Sequence, residues 1–256
     1  MSDFRAELYE RYVSTFTKSE HEVSESDLHA YLVWCEYKYG PLFQGLPKDA
    51  PILELGCGPG DMLEFLRRSG FSAAEGIDVS PEQVQIATDR GLEARVADVF
   101  DCLASAPQRY RVIMALDFME HFSKEELMRL VPAMRDALLP GGILILQTPN
   151  GQGLLSNYVV YGDLTHLTVF TPKSLKQLLR LWGFGEFRFL ETGPAPDSWK
   201  GKLRAAAWAV ITWCAGLVQK IETGRDQAIW TENLICCCTR DTDERLDPPG
   251  ETPSPS

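Results

Sequence analysis

The chain has 256 residues, 45% of them apolar and 24% charged, which is the balance of a folded globular protein. Its 25 basic and 36 acidic side chains leave a net charge of −11. Without a basic cluster, that charge repels phosphate backbones and excludes a long nucleic-acid partner.

The opening "MSDFRAELYE" lacks the apolar core of a secretory signal, so a cytoplasmic chain with reduced thiols is expected. Residues 1–46 read as an N-terminal helical cap that Gly40-Pro41 interrupts. From residue 51 short apolar runs alternate with amphipathic helices. The runs are "PILELG" (51–56), "AAEGIDV" (73–79), "LEARVAD" (92–98), "YRVIMAL" (110–116) and "GILILQT" (142–148). Ser80-Pro81-x-Gln83 and Ser123-x-x-Glu126 are helix-start signals, the second followed by apolar Leu127, Leu130, Val131 and Met134. Pro140-Gly141-Gly142 is expected to close that helix. Thr171-Pro172 starts another, and "GEFRFLET" (185–192) and "ENLICCCTR" (232–240) read as late strands. Such alternation implies a parallel sheet with right-handed crossovers. The expected organisation is a cap (1–46), a core (47–192), a helical insert (193–231), a last core strand (232–240) and a disordered tail (241–256).

Two further features need separate treatment. Seven cysteines show no C-x-x-C pair, and Cys236, Cys237 and Cys238 in an apolar run read as buried free thiols. Residues 205–218, "AAAWAVITWCAGLV", carry no charge and have Lys200, Lys202 and Arg204 before them and Lys220 after. A bilayer span needs roughly 20 residues. The segment therefore reads first as a buried or partner-facing helix, with peripheral membrane contact through 204–220 as the alternative. Trp199, Trp208, Trp213 and Trp230 stack on sugar faces or a lipid carrier, or pack a dimer.

"ILELGCGPGD" sits between a strand and a helix, and Gly56, Gly58 and Gly60 form G-x-G-x-G. A dinucleotide fingerprint needs its third glycine at position 61, which is Asp61. An acid at the loop mouth suits a cationic ligand instead. Glu54, Asp78 and Asp98 lie at or near the carboxyl ends of successive strands, where open α/β sheets bind ligands. There Asp78 can accept the hydroxyls of a ribose and Asp98 the amine of an adenine; each acid can also merely cap a helix.

At "ILELGCGPG", "GIDVS", "ADVF", "YRVIMALDFMEH" and "LLPGGILILQTPN" the sequence resembles the class I S-adenosylmethionine-dependent methyltransferases. The resemblance implies a Rossmann-like α/β fold. Its seven-stranded, mostly parallel sheet has an antiparallel last strand and helices on both faces. It also implies that Gly56, Gly58 and Gly60 meet the methionine end of the cofactor, that Asp78 holds the ribose and Asp98 the adenine amine, and that Glu54 orients the loop or contacts the ammonium. Val79, Val99 and Leu116 complete the implied cofactor set.

"DFMEHF" (117–122) follows the fourth strand. If Asp117 to His121 form a helical turn, Asp117, Glu120 and His121 share one face. The pattern D-x-x-E-H resembles the E-x-x-E-H of two groups of metal-dependent O-methyltransferases, of small-RNA ribose and of ubiquinone biosynthesis. These groups also carry a distal histidine in a segment similar to "GDLTHLTVFTPKSL", which puts His166 in the set. The implied ligands are Asp117, Glu120, His121 and His166, around Mg²⁺ or Mn²⁺, with Asp117, His121 and His166 as the catalytic group. A metal-free reading makes His121 or His166 a general base, and a third makes Glu120 and His121 a structural tie. "GDLTHLTVFTPKSL" and "QTPN" also look like bacterial methyltransferases of surface-glycan biosynthesis. The expected acceptor is a sugar, glycan or lipid-linked glycan hydroxyl, handled in the cytoplasm or at the inner face of the membrane by a monomer or homodimer. A small phenol or quinone precursor is the alternative acceptor, and a cofactor-binding protein without turnover the alternative class.

Overall fold

The computed structural model describes residues 25–242. The expected helix and tail outside that range, 1–24 and 243–256, lie beyond the described residues.

Helix α1 (Glu25–Lys38) precedes the strand–helix alternation. The next elements are β1 (Ile52–Leu55), α2 (Asp61–Arg68), β2 (Ala74–Asp78), α3 (Pro81–Asp89), β3 (Ala94–Val96) and α4 (Val99–Ala104). They are followed by β4 (Tyr110–Leu116), α5 (Lys124–Ala137) and β5 (Leu138–Pro149). The short α6 (Asn157–Tyr161), α7 (Pro172–Leu181), β6 (Phe184–Glu191), α8 (Trp199–Thr223) and β7 (Asn233–Arg240) complete the order. The strands form one seven-stranded sheet ordered β3-β2-β1-β4-β5-β7-β6. β7 runs antiparallel to both β5 and β6, and every other pairing is parallel. The expected fold class is therefore the observed one.

Alternation along the central strands sorts the core onto two faces. In β4, Ile113 and Ala115 join one cluster with α5 residues Leu127, Leu130 and Met134 and with Leu175 and Leu179 of α7. Val112 and Met114 point the other way, onto Leu32 and Cys35 of α1 and Met62 and Leu66 of α2. Helix α1 is thus part of the shared core. Cys236, Cys237 and Cys238 are free and buried in β7, as expected.

Two local expectations change. Helix α5 ends at Ala137, and Pro140-Gly141-Gly142 belongs to an irregular start of β5 rather than to the helix stop. The pairing jumps from Tyr110↔Leu138 to Val112↔Ile143, and Gly141 takes φ 68°, so the extra residues bulge out before regular pairing begins. At the other end of α5 the Ser123–Glu126 capping box forms: Ser123 Oγ accepts from Glu126 N at 3.2 Å and Glu126 Oε2 from Ser123 N at 2.8 Å.

Ser123→Ala removes that cap and is expected to lower stability by about 1 kcal/mol, read as a shifted urea midpoint with unchanged slope.

Candidate active site

The carboxyl ends of β1, β2, β3 and β4 open into a cleft of about 560 Å³. This is where an open parallel sheet binds ligands, at the point where the strand order reverses. Gly56, Gly58, Asp78, Val79, Asp98 and Val99 line it, joined by Asp117 and His121 from the far side.

The glycine loop has a definite shape. Gly56 takes φ 68°, and a Cβ there would lie 2.6 Å from the ring of Phe118. Gly58 takes φ 51° with open space where a Cβ would go, so it is the glycine whose backbone a ligand can approach. Gly60 does different work from the one expected. It does not line the cleft, and a Cβ there would lie 2.5 Å from Leu92, so its bare backbone lets α2 pack close to α3. Asp61 is also redirected. Its carboxylate pairs with Arg90 at 2.7 Å, so its charge is compensated rather than offered at the loop mouth.

Asp78 accepts from Gly58 N at 3.0 Å through Oδ2 and from Ser80 N at 2.8 Å through Oδ1. One lone pair on each oxygen remains for a diol. Burial pushes its carboxyl above the usual range, and those backbone bonds oppose the shift. Asp98 caps α4 by accepting from Phe100 N at 2.8 Å and Asp101 N at 3.3 Å, both through Oδ1. Oδ2 takes no part in the cap. Both acids hold their turns and line the cleft, so capping and ligand binding are not exclusive here. Glu54 and Leu116 lie behind the cleft wall, in β1 and at the end of β4. Glu54 is buried, and desolvation, then Asp61 and Asp78, push its pKa well up.

The acid–imidazole stretch does not form one helical turn. Asp117 takes a left-handed φ of 48°, and only Met119–His121 are helical, as one 3₁₀ turn. Asp117 Oδ2 accepts from the Gln147 amide at 2.7 Å, and Gln147 Oε1 accepts from the buried Tyr39 hydroxyl at 2.7 Å. Although Asp117 faces the open cleft, the surrounding wall desolvates its carboxyl and raises its pKa, with Gln147 and His166 opposing. Glu120 is buried, and desolvation followed by Asp117 raises its pKa well above the ordinary value. Neither Glu120 oxygen has a hydrogen bond of ordinary geometry, although the neighbouring Thr148 hydroxyl acts on it.

Glu120 also fixes the distal segment through its backbone. Its carbonyl accepts from Leu167 N at 2.8 Å and Thr168 N at 3.0 Å. That clamp sets the His166 ring 4.9 Å from the His121 ring. Glu120, His121 and His166 each bring one ligand atom within 4.8 Å of the others. Asp117, expected as a fourth ligand, is not in this group because its left-handed turn sends its carboxylate to Gln147. His166 Nδ1 lies 3.2 Å from the Val160 carbonyl, which can only accept, so in the neutral ring Nε2 carries the lone pair. The Thr165 hydroxyl lies 2.8 Å from His121 Nδ1 and 2.6 Å from Asp163. Burial and then His166 lower the His121 pKa to about 4, so its ring is neutral at pH 7.

Residues 33–185, more than half of the chain, match the family model described as methyltransferase domain. The chain belongs to this family. By family and fold it is a class I S-adenosylmethionine-dependent methyltransferase. The ubiquinone biosynthesis O-methyltransferase of Xylella fastidiosa (strain 9a5c) is 33% identical to it over 107 residues, 40% of this chain and 42% of that protein. The trans-aconitate 2-methyltransferase of Mycobacterium tuberculosis (strain ATCC 25177 / H37Ra) is 30% identical over 129 residues, 48% of each. The match thus spans less than half the length of these curated relatives. A SAM-dependent methyltransferase structure from Archaeoglobus fulgidus shares the fold with TM-score 0.62 and 19% identity, over 83% of this chain and 94% of that one. A Haemonchus contortus phosphoethanolamine N-methyltransferase 2 in complex with S-adenosyl-L-methionine shares it with TM-score 0.56 and 12% identity, over 91% of this chain and 60% of that one.

This methyltransferase has a cleft that fits the cofactor. Gly58 leaves backbone-close space, Asp78 keeps two acceptor positions and Asp98 keeps Oδ2. Phe100 and Phe118 add apolar wall. These two rings, with Phe122, escape the sequence reading. Phe122 packs 4.9 Å from Phe118 and 6.2 Å from Phe100, and the only sequence sign is that phenylalanines flank the acid–imidazole stretch. The Tyr39–Gln147 relay leaves no sequence sign, because its members are 108 residues apart.

Asp78→Ala removes the two-point acceptor and is expected to weaken S-adenosylmethionine binding at least about tenfold in calorimetry. An unchanged affinity refutes the ribose role. In the metal-free protein, the His121 ring should titrate by NMR near pH 4. The unfolded chain binds that proton first, so the ring's contribution to stability shrinks as pH falls from 6.5 toward 4.

Proposed function

We propose that the protein is an S-adenosylmethionine-dependent O-methyltransferase that acts on a hydroxyl of a sugar or glycan with the help of a divalent cation. The observation that carries the reading is the Glu120, His121 and His166 cluster beside the cleft, with ligand atoms within 4.8 Å of one another and Glu120 lacking ordinary hydrogen bonds. A buried carboxylate in that condition is costly unless a cation or proton compensates it.

S-adenosylmethionine supplies an electrophilic methyl group on a sulfonium. An alcohol is a poor nucleophile, with a pKa near that of water, about 15.7, and a divalent cation would lower it by several units. Among the described residues, Glu120, His121 and His166 would hold the cation. One carboxylate and two imidazoles suit Mn²⁺, Fe²⁺ or Zn²⁺ better than Mg²⁺, which prefers oxygen ligands. The remaining work falls to this chain's own groups. Asp78 and Asp98 orient the donor, and Phe118 and Phe100 exclude water from it. The Val160 carbonyl fixes His166 so that Nε2 can ligate or accept a proton. The Thr165 hydroxyl has one proton to give. When it goes to Asp163, the 2.8 Å contact makes His121 Nδ1–H the donor to Thr165 Oγ1, and Nε2, 3.2 Å from the Asp117 carbonyl, keeps the lone pair. Holding oxygen and methyl in line contributes much of the remaining acceleration.

The sugar acceptor is supported by the likeness of "GDLTHLTVFTPKSL" and "QTPN" to surface-glycan methyltransferases, and the net charge of −11 disfavours polyanions. The likeness to a ubiquinone biosynthesis enzyme favours a small phenol or quinone precursor as the second reading.

Incubation with label-bearing cofactor should place the label on a sugar hydroxyl, read by mass spectrometry. Label on catechols alone selects the second reading, and label on neither, with donor bound, leaves a binding protein without turnover. Chelation should abolish transfer and Mn²⁺ restore it better than Mg²⁺; full activity after exhaustive chelation removes the cation from the proposal. His166→Ala should lower turnover by about two orders of magnitude with cofactor affinity unchanged.

A further inference from the structure

Helix α8 carries its apolar face on the wrong side for a soluble protein. Its inner stripe, at Gly201, Ala205, Trp208, Thr212, Ala215 and Gln219, is largely small or polar and is buried or partly buried against the body. Two of the four tryptophans are structural. Trp208 Nε1 donates to Glu191 Oε2 at 3.0 Å, and the buried Trp230 gives its backbone N–H to Glu191 Oε1 at 2.6 Å, which tethers the helix to β6. The outer stripe is the large apolar one: Trp199, Leu203, Val210, Trp213, Leu217 and Ile221 are 49–78% exposed. Of the expected buried or partner-facing helix, the buried form is not the one observed. Ile211 and Val218 extend this surface, so that it covers about 160° of the helix at 100° per residue.

Basic residues border that surface on both sides. On the same wheel Lys202 and Lys220 flank one edge; at the other, Lys200 lies level with Val218 and Arg204 just beyond Ile211, level with Glu222. Glu222 is the one acid in the helix. In a chain of net charge −11 this is a local reversal of sign. Lys220 reaches Asp226 at 3.2 Å, but the pair is exposed, where such contacts hold little. No helix among the described residues is long and apolar enough to cross a membrane.

We propose that α8 lies flat on an anionic phospholipid surface, with its outer stripe sunk to the acyl boundary and its four basic residues at the headgroups. A broad apolar face edged by Lys and Arg, with tryptophans at the interface, is the pattern of a helix lying in the membrane plane. A second copy is the weaker occupant. The face is wider than a two-helix seam, and pairing brings Lys202 or Lys220 of one copy against a lysine of the other. Further exposed apolar residues lie between the helix and the active site. Leu155 shares a cavity with Arg204 and Trp208, and the segment after it, with Tyr158 and Tyr161 about four-fifths exposed, leads to Val160, whose carbonyl meets His166. An acceptor carried on a lipid would thus arrive beside the cleft. The proposal stands on the helix alone and does not require the methyltransferase reading.

The test is flotation of the full chain with vesicles of phosphatidylcholine alone and of an equimolar mix with phosphatidylglycerol. The chain should float with the mixed vesicles, with a blue shift in tryptophan emission. Trp213→Glu with Leu217→Glu should reduce binding at least tenfold, and Lys202→Gln or Lys220→Gln by about fivefold each, all with an unchanged thermal melt. Failure to float with either vesicle overturns the proposal. So does a concentration-dependent dimer, dissolved by the same acidic pair, that ignores vesicles.

Discussion

Two hydrogen bonds to one carbonyl hold the site together. Glu120 O accepts from Leu167 N and Thr168 N, and this is what brings a segment more than 40 residues downstream against the turn after β4. The turn that presents that carbonyl begins at Asp117, whose φ of 48° costs a non-glycine residue of order 1–3 kcal/mol. The surroundings over-determine it. Asp117 N donates to the Gln147 carbonyl at 3.0 Å, and its carboxylate accepts from the same residue's amide at 2.7 Å. Gln147 is in turn held by Tyr39, so the N-terminal helical region, the sheet and the site form one mechanical unit.

This arrangement explains what could be read from the sequence. Strand ends are legible because apolar runs stop where acids begin, and Asp78 and Asp98 lie where the alternation puts them. The Ser123–Glu126 box is legible because both members are local. Gly60 and Asp61 were legible as residues but not as roles. A glycine that admits Leu92 and one that admits a ligand look alike in sequence, and nothing local announces that Arg90 reaches Asp61. The Asp117 turn has a weak signal at best, since Asp tolerates left-handed backbone only somewhat better than most residues. The uncharged run of α8 likewise does not say which of its faces meets the body. Gly201, Ala205 and Ala215 on one stripe permit close packing, so the larger residues point out.

The charges of the cleft tie these pieces to ligand chemistry. Glu54, Asp78, Asp117 and Glu120 each have a raised pKa, and desolvation is the first cause in every case. Desolvation makes each of these carboxyls costlier to ionise than a free one, and a nearby positive charge offsets that cost. A sulfonium donor beside the glycine loop and a divalent cation beside His166 are both such charges, and either would favour the ionised form of the acids near it. Binding of the proposed cation would therefore be coupled to proton release. The neutral His121 adds no charge that would oppose either. The same chain that is acidic overall thus gathers carboxyls around the cleft where a cationic donor sits, and gathers Lys200, Lys202, Arg204 and Lys220 along the exposed side of α8.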